Sequence, residues 1–214
     1  MKFFDALLDL LFPRRCAFCR RLTQNGALVC PRCCGTLPYT GAAAKQRFSS
    51  LECYSPLYYT DEVRSSLLRY KFGGLNAYAK VYGEFLSKCI DENGISCDSI
   101  TWVPLSGRRL RRRGYDQAGL LAEELSRRMS VPCAAMLRKK RDNRAQSTVG
   151  NAENRRRNVK GVYEALTSAT IRGKRVLLVD DIVTTGATLS ACAAELKKAG
   201  AKEIVAVTVA RRKD

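Results

Sequence analysis

Two carboxylates, Asp180 and Asp181, stand between an apolar run and a hydroxyl-rich turn in the stretch Val176-Leu177-Leu178-Val179-Asp180-Asp181-Ile182-Val183-Thr184-Thr185-Gly186-Ala187-Thr188. The run is short enough for a buried strand that ends at the acidic pair. The turn opens the helical pattern Leu189, Cys192, Ala193, Leu196, with Gly200 placed to close it. In an open α/β sheet, ligands sit beyond the carboxyl ends of the strands. A loop there that starts a helix aims free backbone N–H groups, and the positive end of the helix dipole, at one point. That suits a phosphate. Gly186 lets the backbone approach closely, and the Thr184, Thr185 and Thr188 hydroxyls add donors. No Lys or Arg occurs from Val176 to Leu196, so amides and hydroxyls would do the holding. The aspartates repel a phosphate, but they can accept hydrogen bonds from vicinal hydroxyls or position Mg²⁺ through water. A phosphate beside a diol describes a ribose 5-phosphate. The plain alternative, an acidic strand end before an ordinary helix, fits Asp-Asp alone better than it fits the whole stretch.

A second constellation is made of thiols. Cys16-Ala17-Phe18-Cys19 and Cys30-Pro31-Arg32-Cys33 are two C-x-x-C pairs close in sequence. Each can grip one tetrahedral Zn²⁺ from a tight turn, with Cys33 or its neighbour Cys34 as the fourth ligand. A redox-active C-x-x-C would need only one pair. So few residues cannot form a core, so the metal would fold this knuckle. Cys53, Cys89, Cys97, Cys133 and Cys192 are isolated among apolar residues and read as packing. Ten cysteines in a reducing compartment favour metal ligation over disulfides.

The third feature is charge. The net formal charge is +18, and no histidine is present, which excludes His-based catalysis and ligation. From Leu105 to Lys160 there are 16 Lys or Arg against 5 Asp or Glu, so a net of +11 lies in that segment alone. These cations fall in loops leaving strand ends, at the same edge as the Asp-Asp turn, and they point to polyanionic partners.

The elements that must position these groups follow from periodicity. With 46% hydrophobic and 27% charged residues, a packed core is expected. Strands are expected at Leu51–Tyr59, Ser99–Val103, Ala134–Leu137, Gly161–Ala165, Arg175 onward and Glu203–Val209. Helices are expected at Asp61–Tyr70, at Tyr78–Cys89 and after Gln117. Lys71-Phe72-Gly73-Gly74 should break the first helix. Alternation of strands and helices implies an α/β fold with a mostly parallel, Rossmann-like sheet and helices on both faces. The chain divides into residues 1–40, an N-terminal helix and zinc knuckle, and residues 51–214, the main domain, joined by a polar linker from Gly41 to Ser50. Met1–Phe12 is amphipathic, with Phe3, Phe4, Leu7, Leu8 and Leu11 at helical spacing. Asp5 and Asp9 interrupt it, so it reads as a packed helix and not an export signal, leaving the cytoplasm as the expected compartment. No apolar run reaches the roughly 18–20 residues of a membrane span.

The turn at Asp180–Thr188 closely resembles the signature of type I phosphoribosyltransferases. With the four-cysteine knuckle, Tyr70-Lys71-Phe72, the Pro104–Gln117 loop, Gln146-Ser147 and Arg157-Asn158-Val159 in the same order, the chain resembles the ComF family. These are bacterial proteins joining a zinc knuckle to a phosphoribosyltransferase-like domain and linked to DNA uptake in natural competence. The family more often has Asn at the place of Asp116 and Phe at that of Tyr115. The resemblance implies phosphoribosyl pyrophosphate as ligand. Thr184, Thr185, Gly186, Ala187 and Thr188 would hold its 5-phosphate, and Asp180 and Asp181 its ribose hydroxyls. A Ser106–Gly114 loop would cover the diphosphate with Arg108, Arg109 and Arg113, Mg²⁺ would bridge diphosphate and ribose, and a Lys139–Arg157 hood would exclude water.

Three functions compete. A binding module would keep the phosphoribosyl pyrophosphate pocket and hold single-stranded DNA on Arg111, Arg112, Lys139, Lys140 and Arg141. Tyr58, Tyr59, Tyr70, Phe72 and Tyr115 would be available to stack on bases, and competence-machinery proteins would be its partners. An active phosphoribosyltransferase would release pyrophosphate to a nucleobase or other small acceptor, but no segment specifies that acceptor. A purely structural adaptor leaves the Asp-Asp-Thr-Thr-Gly turn without a purpose.

Overall fold

The structure is a computed structural model that describes residues 14–24, 26–141, 161–166 and 170–213. The amphipathic Met1–Phe12 stretch, Gln146-Ser147 and Arg155–Asn158 lie outside the described residues.

The main sheet has the order β1–β2–β8–β7–β4, built from Lys45–Phe48, Leu51–Tyr54, Glu203–Arg211, Arg175–Val183 and Ser99–Trp102 respectively. A short β3, Leu57–Tyr58, also pairs with β8. Every pairing in this sheet is parallel except β1 on β2. Strand β7 sits between β4 and β8 with Ile100↔Leu177 and Val179↔Val207 opposed, so its carboxyl end emerges between two parallel neighbours, one strand in from the β4 edge.

Period-two alternation divides β7 between two cores. Leu177 and Val179 face one layer with Val207 and Val209. Helices α2 (Asp61–Phe72), α3 (Tyr78–Glu92) and α5 (Gln117–Met129) cover it through Val63, Leu67, Leu86, Leu121 and Leu125. Val176 and Leu178 face the other layer with Leu189, Cys192 and Leu196 of α6 (Ala187–Lys198). Helices therefore lie on both faces, and the apolar positions expected on α6, Leu189, Cys192, Ala193 and Leu196, are its buried ones.

Three local expectations are corrected. The Gly41–Ser50 linker is a 3₁₀ turn, Gly41–Ala43, followed by strand β1, because Lys45–Phe48 can complete an edge hairpin with β2. Helix α2 continues through Lys71 and Phe72 and stops at Gly73. The strand expected at Ala134–Leu137 is β5, Leu137–Lys139, which pairs antiparallel with β6, Tyr163–Ala165.

The knuckle, which includes the short helix α1 (Pro31–Thr36), is joined to the body by packing. Phe18 lies edge-on to Tyr82 and beside Phe85 at centroid distances of 6.3 and 6.1 Å. Arg69 Nη2 donates to the Ala17 and Phe18 carbonyls, both at 2.8 Å, and Ser66 Oγ donates to Ala17 O at 2.7 Å. Phe18 and Leu37 are buried in the same cluster as α2 and α3, each contributing about 2 kcal/mol of apolar burial. The isolated Cys53, Cys89 and Cys192 are buried, while Cys97 and Cys133 are partly so.

Candidate functional site

Strand β7 runs on to Val183, so both aspartates lie inside it rather than beyond its end. Thr184 and Thr185 turn the chain, and Gly186, at φ 68°, caps α6. No side chain caps this helix, which leaves its first N–H groups to other acceptors. They border a cavity of about 40 Å³ lined by Asp180 and by Ile182 to Leu189. One water needs about 10–15 Å³, so the cavity suits a group several times larger, such as a tetrahedral oxyanion. Gly186 is required for a reason the sequence did not reveal. A Cβ there would fall on the Phe48 ring, which the β1–β2 hairpin lays against it.

The two carboxylates diverge, because neighbouring strand residues face opposite sides. Asp180 shares the parity of Val176 and Leu178 and joins the wall of the phosphate-sized cavity. Its Oδ1 accepts the Asp181 N–H at 2.8 Å. Burial, then the charge of Asp181, pushes its carboxyl well above the usual carboxylate range. Asp181 shares the parity of Leu177 and Val179 and is buried toward α2 and α5. Its Oδ2 pairs with Lys71 Nζ at 2.8 Å and accepts from Gln117 Nε2 at 3.3 Å. Asp180 thus lines the cavity while Asp181, one residue on, carries a cation.

The Ser106–Gly114 stretch, expected as a loop, is the short helix α4, Gly107–Arg113. Ser106 caps it by accepting the Arg109 N–H at 3.4 Å, and Gly114, at φ 78°, ends it. The helix sorts the arginines. Arg108, Arg111 and Arg112 are exposed, whereas Arg109 and Arg113, one turn apart, are half-buried. Arg113 Nη1 donates to Gln117 Oε1 at 2.7 Å, and its guanidinium stands 4.7 Å from the Phe72 ring centre. Burial lowers its pKa. A connected chain results: Lys71, Asp181, Gln117, Arg113.

Sequence reasoning missed Lys71 and Gln117 as site residues. Both stand inside the family motifs quoted above, but Lys71-Phe72-Gly73-Gly74 reads as a helix break until the helix is seen to run to Phe72. Asp116 plays a supporting part: Oδ1 accepts the Ala118 and Gly119 N–H groups that open α5, and Oδ2 accepts Leu105 N–H. Tyr70, a candidate for base stacking, is fully buried and donates to Gln117 O at 2.7 Å, while Tyr115 donates to Tyr70 O. Phe72 is 59% exposed.

The segment expected to form a hood begins at Lys139, the last residue of β5. Lys139 Nζ lies 5.4 Å from the Tyr163 ring centre, Lys140 pairs with Glu164 at 3.0 Å, and Arg141 is exposed. The rest of the hood, from residue 142 to Arg157, lies outside the described residues.

The Sγ atoms of Cys16, Cys19, Cys30 and Cys33 all lie within 4.8 Å of one another, and Cys19 and Cys30 are 3.6 Å apart. Four thiolates around zinc at about 2.3 Å would have edges of about 3.8 Å, so this set fits the ion. Cys30 N–H points at Cys16 Sγ and Cys33 N–H at Cys30 Sγ, at 3.4 and 3.5 Å, as donors that would stabilise thiolate charge. Cys34 is exposed and outside the cluster, which answers the choice between it and Cys33.

Residues 115–214 match the phosphoribosyl transferase domain, and residues 7–46 match the double zinc ribbon domain. Competence protein F of Haemophilus influenzae is 36% identical over 115 residues, 53% of this chain and 50% of that one. Competence protein ComFC of Streptococcus pneumoniae is 31% identical over 153 residues, 72% and 65% of the two chains. The chain belongs to the ComF family. A third ComF relative, DNA utilization protein YhgH of Escherichia coli K12, is 27% identical over 205 residues, 88% of this chain and 86% of that one. The match to the Haemophilus protein thus spans half of that relative's length. The cysteines between residues 7 and 46 are Cys16, Cys19, Cys30, Cys33 and Cys34, enough for one tetrahedral thiolate site and not two. Among the described residues, no helix is long and apolar enough to cross a membrane.

Proposed function

We propose that this ComF protein binds phosphoribosyl pyrophosphate with Mg²⁺ at the carboxyl end of β7 and couples that site to the handling of single-stranded DNA. The observation that carries the reading is the uncapped start of α6 facing a cavity that Asp180 also lines. The amides from Thr185 to Thr188 and the threonine hydroxyls would hold the 5-phosphate. Asp180, in the same wall, would accept a ribose hydroxyl, and Arg109 and Arg113, the half-buried arginines of α4, would reach the diphosphate. Mg²⁺, when bound with the ligand, would offset the charge of the diphosphate. The DNA link rests on the competence and DNA-utilization names of the relatives and on the outward arginines of α4. Turnover is the second reading. It is favoured by Lys71 and Arg113, which Asp181 and Gln117 link and which would supply positive charge to a leaving diphosphate.

Calorimetry with Mg²⁺ and phosphoribosyl pyrophosphate tests the first reading. Saturable binding that Asp180→Asn weakens is expected, because the amide puts an NH₂ donor where the carboxyl offers an acceptor oxygen to the ribose hydroxyl. Wild-type protein that gives no heat with the ligand would exclude the reading. Pyrophosphate release over a panel of nucleobases separates binding from turnover.

A further inference from the structure

Lys71 reaches the site from the last turn of α2, and its ammonium lies 2.8 Å from Asp181 Oδ2. Its side chain is 18% exposed and that of Asp181 7%, so the pair is largely shielded from water, one residue along β7 from the cavity wall that Asp180 forms. A lone buried carboxylate is costly, and the lysine offsets that cost when nothing else occupies the site. The next residue, Phe72, carries the Arg113 guanidinium on its ring, and Gln117 bridges Arg113 to Asp181. Lys71 is therefore tied to an acid of β7 that Gln117 links to Arg113 of α4.

We infer that Lys71 is an exchangeable positioning residue that neutralises Asp181 in the empty site and transfers its charge to the diphosphate when the sugar phosphate binds. The inference rests on the phosphoribosyl pyrophosphate reading above and adds a residue with a two-state role to it. A diphosphate brings several negative oxygens, and an ammonium on a flexible four-carbon stem can swing to them while ribose hydroxyls satisfy Asp181. No bond is made or broken; one ion pair is exchanged for another. A ligand with the sugar phosphate but no diphosphate offers the displaced ammonium nothing in return. The site would thus discriminate the diphosphate-bearing ligand from ribose 5-phosphate through Lys71.

The test compares two ligands on three proteins by calorimetry in the presence of Mg²⁺: phosphoribosyl pyrophosphate and ribose 5-phosphate, on wild type, Lys71→Met and Lys71→Arg. Lys71→Met should weaken phosphoribosyl pyrophosphate about tenfold, as loss of one ionic contact does, and leave ribose 5-phosphate unchanged or tighter. Lys71→Arg should keep the preference for the diphosphate. Equal loss for both ligands in Lys71→Met, or no loss for either, overturns the exchange. A wild type that binds neither ligand refutes the underlying reading, which is a distinguishable result. If Lys71→Met does not fold, Lys71→Met/Asp181→Asn removes both charges of the pair. That variant should still lose affinity for the diphosphate ligand more than for ribose 5-phosphate, and equal affinities for the two in wild type would also overturn the proposal.

Discussion

At Gly186 two demands meet. Its φ of 68° disfavours any side chain, and the Phe48 ring occupies the space a Cβ would need. Gly186→Ala should destabilise the fold by about 1–2 kcal/mol from the backbone alone, with a further loss from the collision with Phe48. Adding Phe48→Ala should recover the steric part only, a comparison that urea unfolding can make. Asp180 makes the opposite prediction. Burial raises its pKa, so in the folded protein it resists ionisation that the unfolded chain accepts. Both states are protonated well below the ordinary carboxylate pKa, and the folded state loses stability as pH climbs from there toward the raised value. Asp180→Asn should therefore match wild type near pH 3 and melt at a higher temperature at pH 7, a gap that calorimetric scans at several pH values would reveal. A constant difference across that range would mean the carboxyl ionises normally in the fold.

At the scale of elements, the knuckle and the β7–α6 unit are both legible in the sequence, each for a local reason. The β7–α6 unit was legible because its strand, turn and helix are consecutive, and period-two and period-3.6 patterns are local facts. The cysteine cluster was legible because two C-x-x-C pairs fix geometry over a few bonds. What stayed hidden was set by long-range packing. The partners of Asp181 come from Lys71 and Gln117, which only the fold brings together. The strand character of Lys45–Phe48 depends on having β2 beside it, and its polar composition reads as a linker in isolation. Strand parity could have warned that adjacent aspartates diverge, but only once both are known to lie within β7. The knuckle's packing also sets a prediction about metal. Because Ala17 and Phe18 of the first C-x-x-C turn are gripped by Ser66, Arg69, Tyr82 and Phe85, losing zinc should loosen α2 and α3 as well as the knuckle. Chelation, or Cys30→Ser, should remove the single bound zinc measured by mass spectrometry of the metal. It should also lower the melting temperature of the whole chain and reduce the near-ultraviolet signal of the Phe18–Tyr82 cluster. An unchanged melting temperature after complete zinc loss would show the body to be indifferent to its knuckle.

Across the whole molecule the decisive quantity is how the +18 charge is divided. Helix α4 turns Arg109 and Arg113 inward, and Arg108, Arg111 and Arg112 outward. The inward pair would meet a small anion at close range, where binding depends on geometry. The outward three would meet a polyanion through released counterions, which depends on salt. The two ligands should therefore separate under mutation. The triple change Arg108→Ala/Arg111→Ala/Arg112→Ala should reduce the slope of log affinity for single-stranded DNA against log salt by about 2, at roughly 0.7 per phosphate contact. It should leave phosphoribosyl pyrophosphate affinity at fixed ionic strength nearly unchanged. Arg113→Ala should do the reverse, since its guanidinium is committed to Gln117 and Phe72 on the site side. Fluorescence anisotropy with an oligonucleotide at several salt concentrations, paired with calorimetry for the small ligand, measures both. If the triple variant kept the wild-type slope, the outward face of α4 would have no part in holding DNA, and the cations of the hood, Lys139 to Arg141, would be the next surface to test.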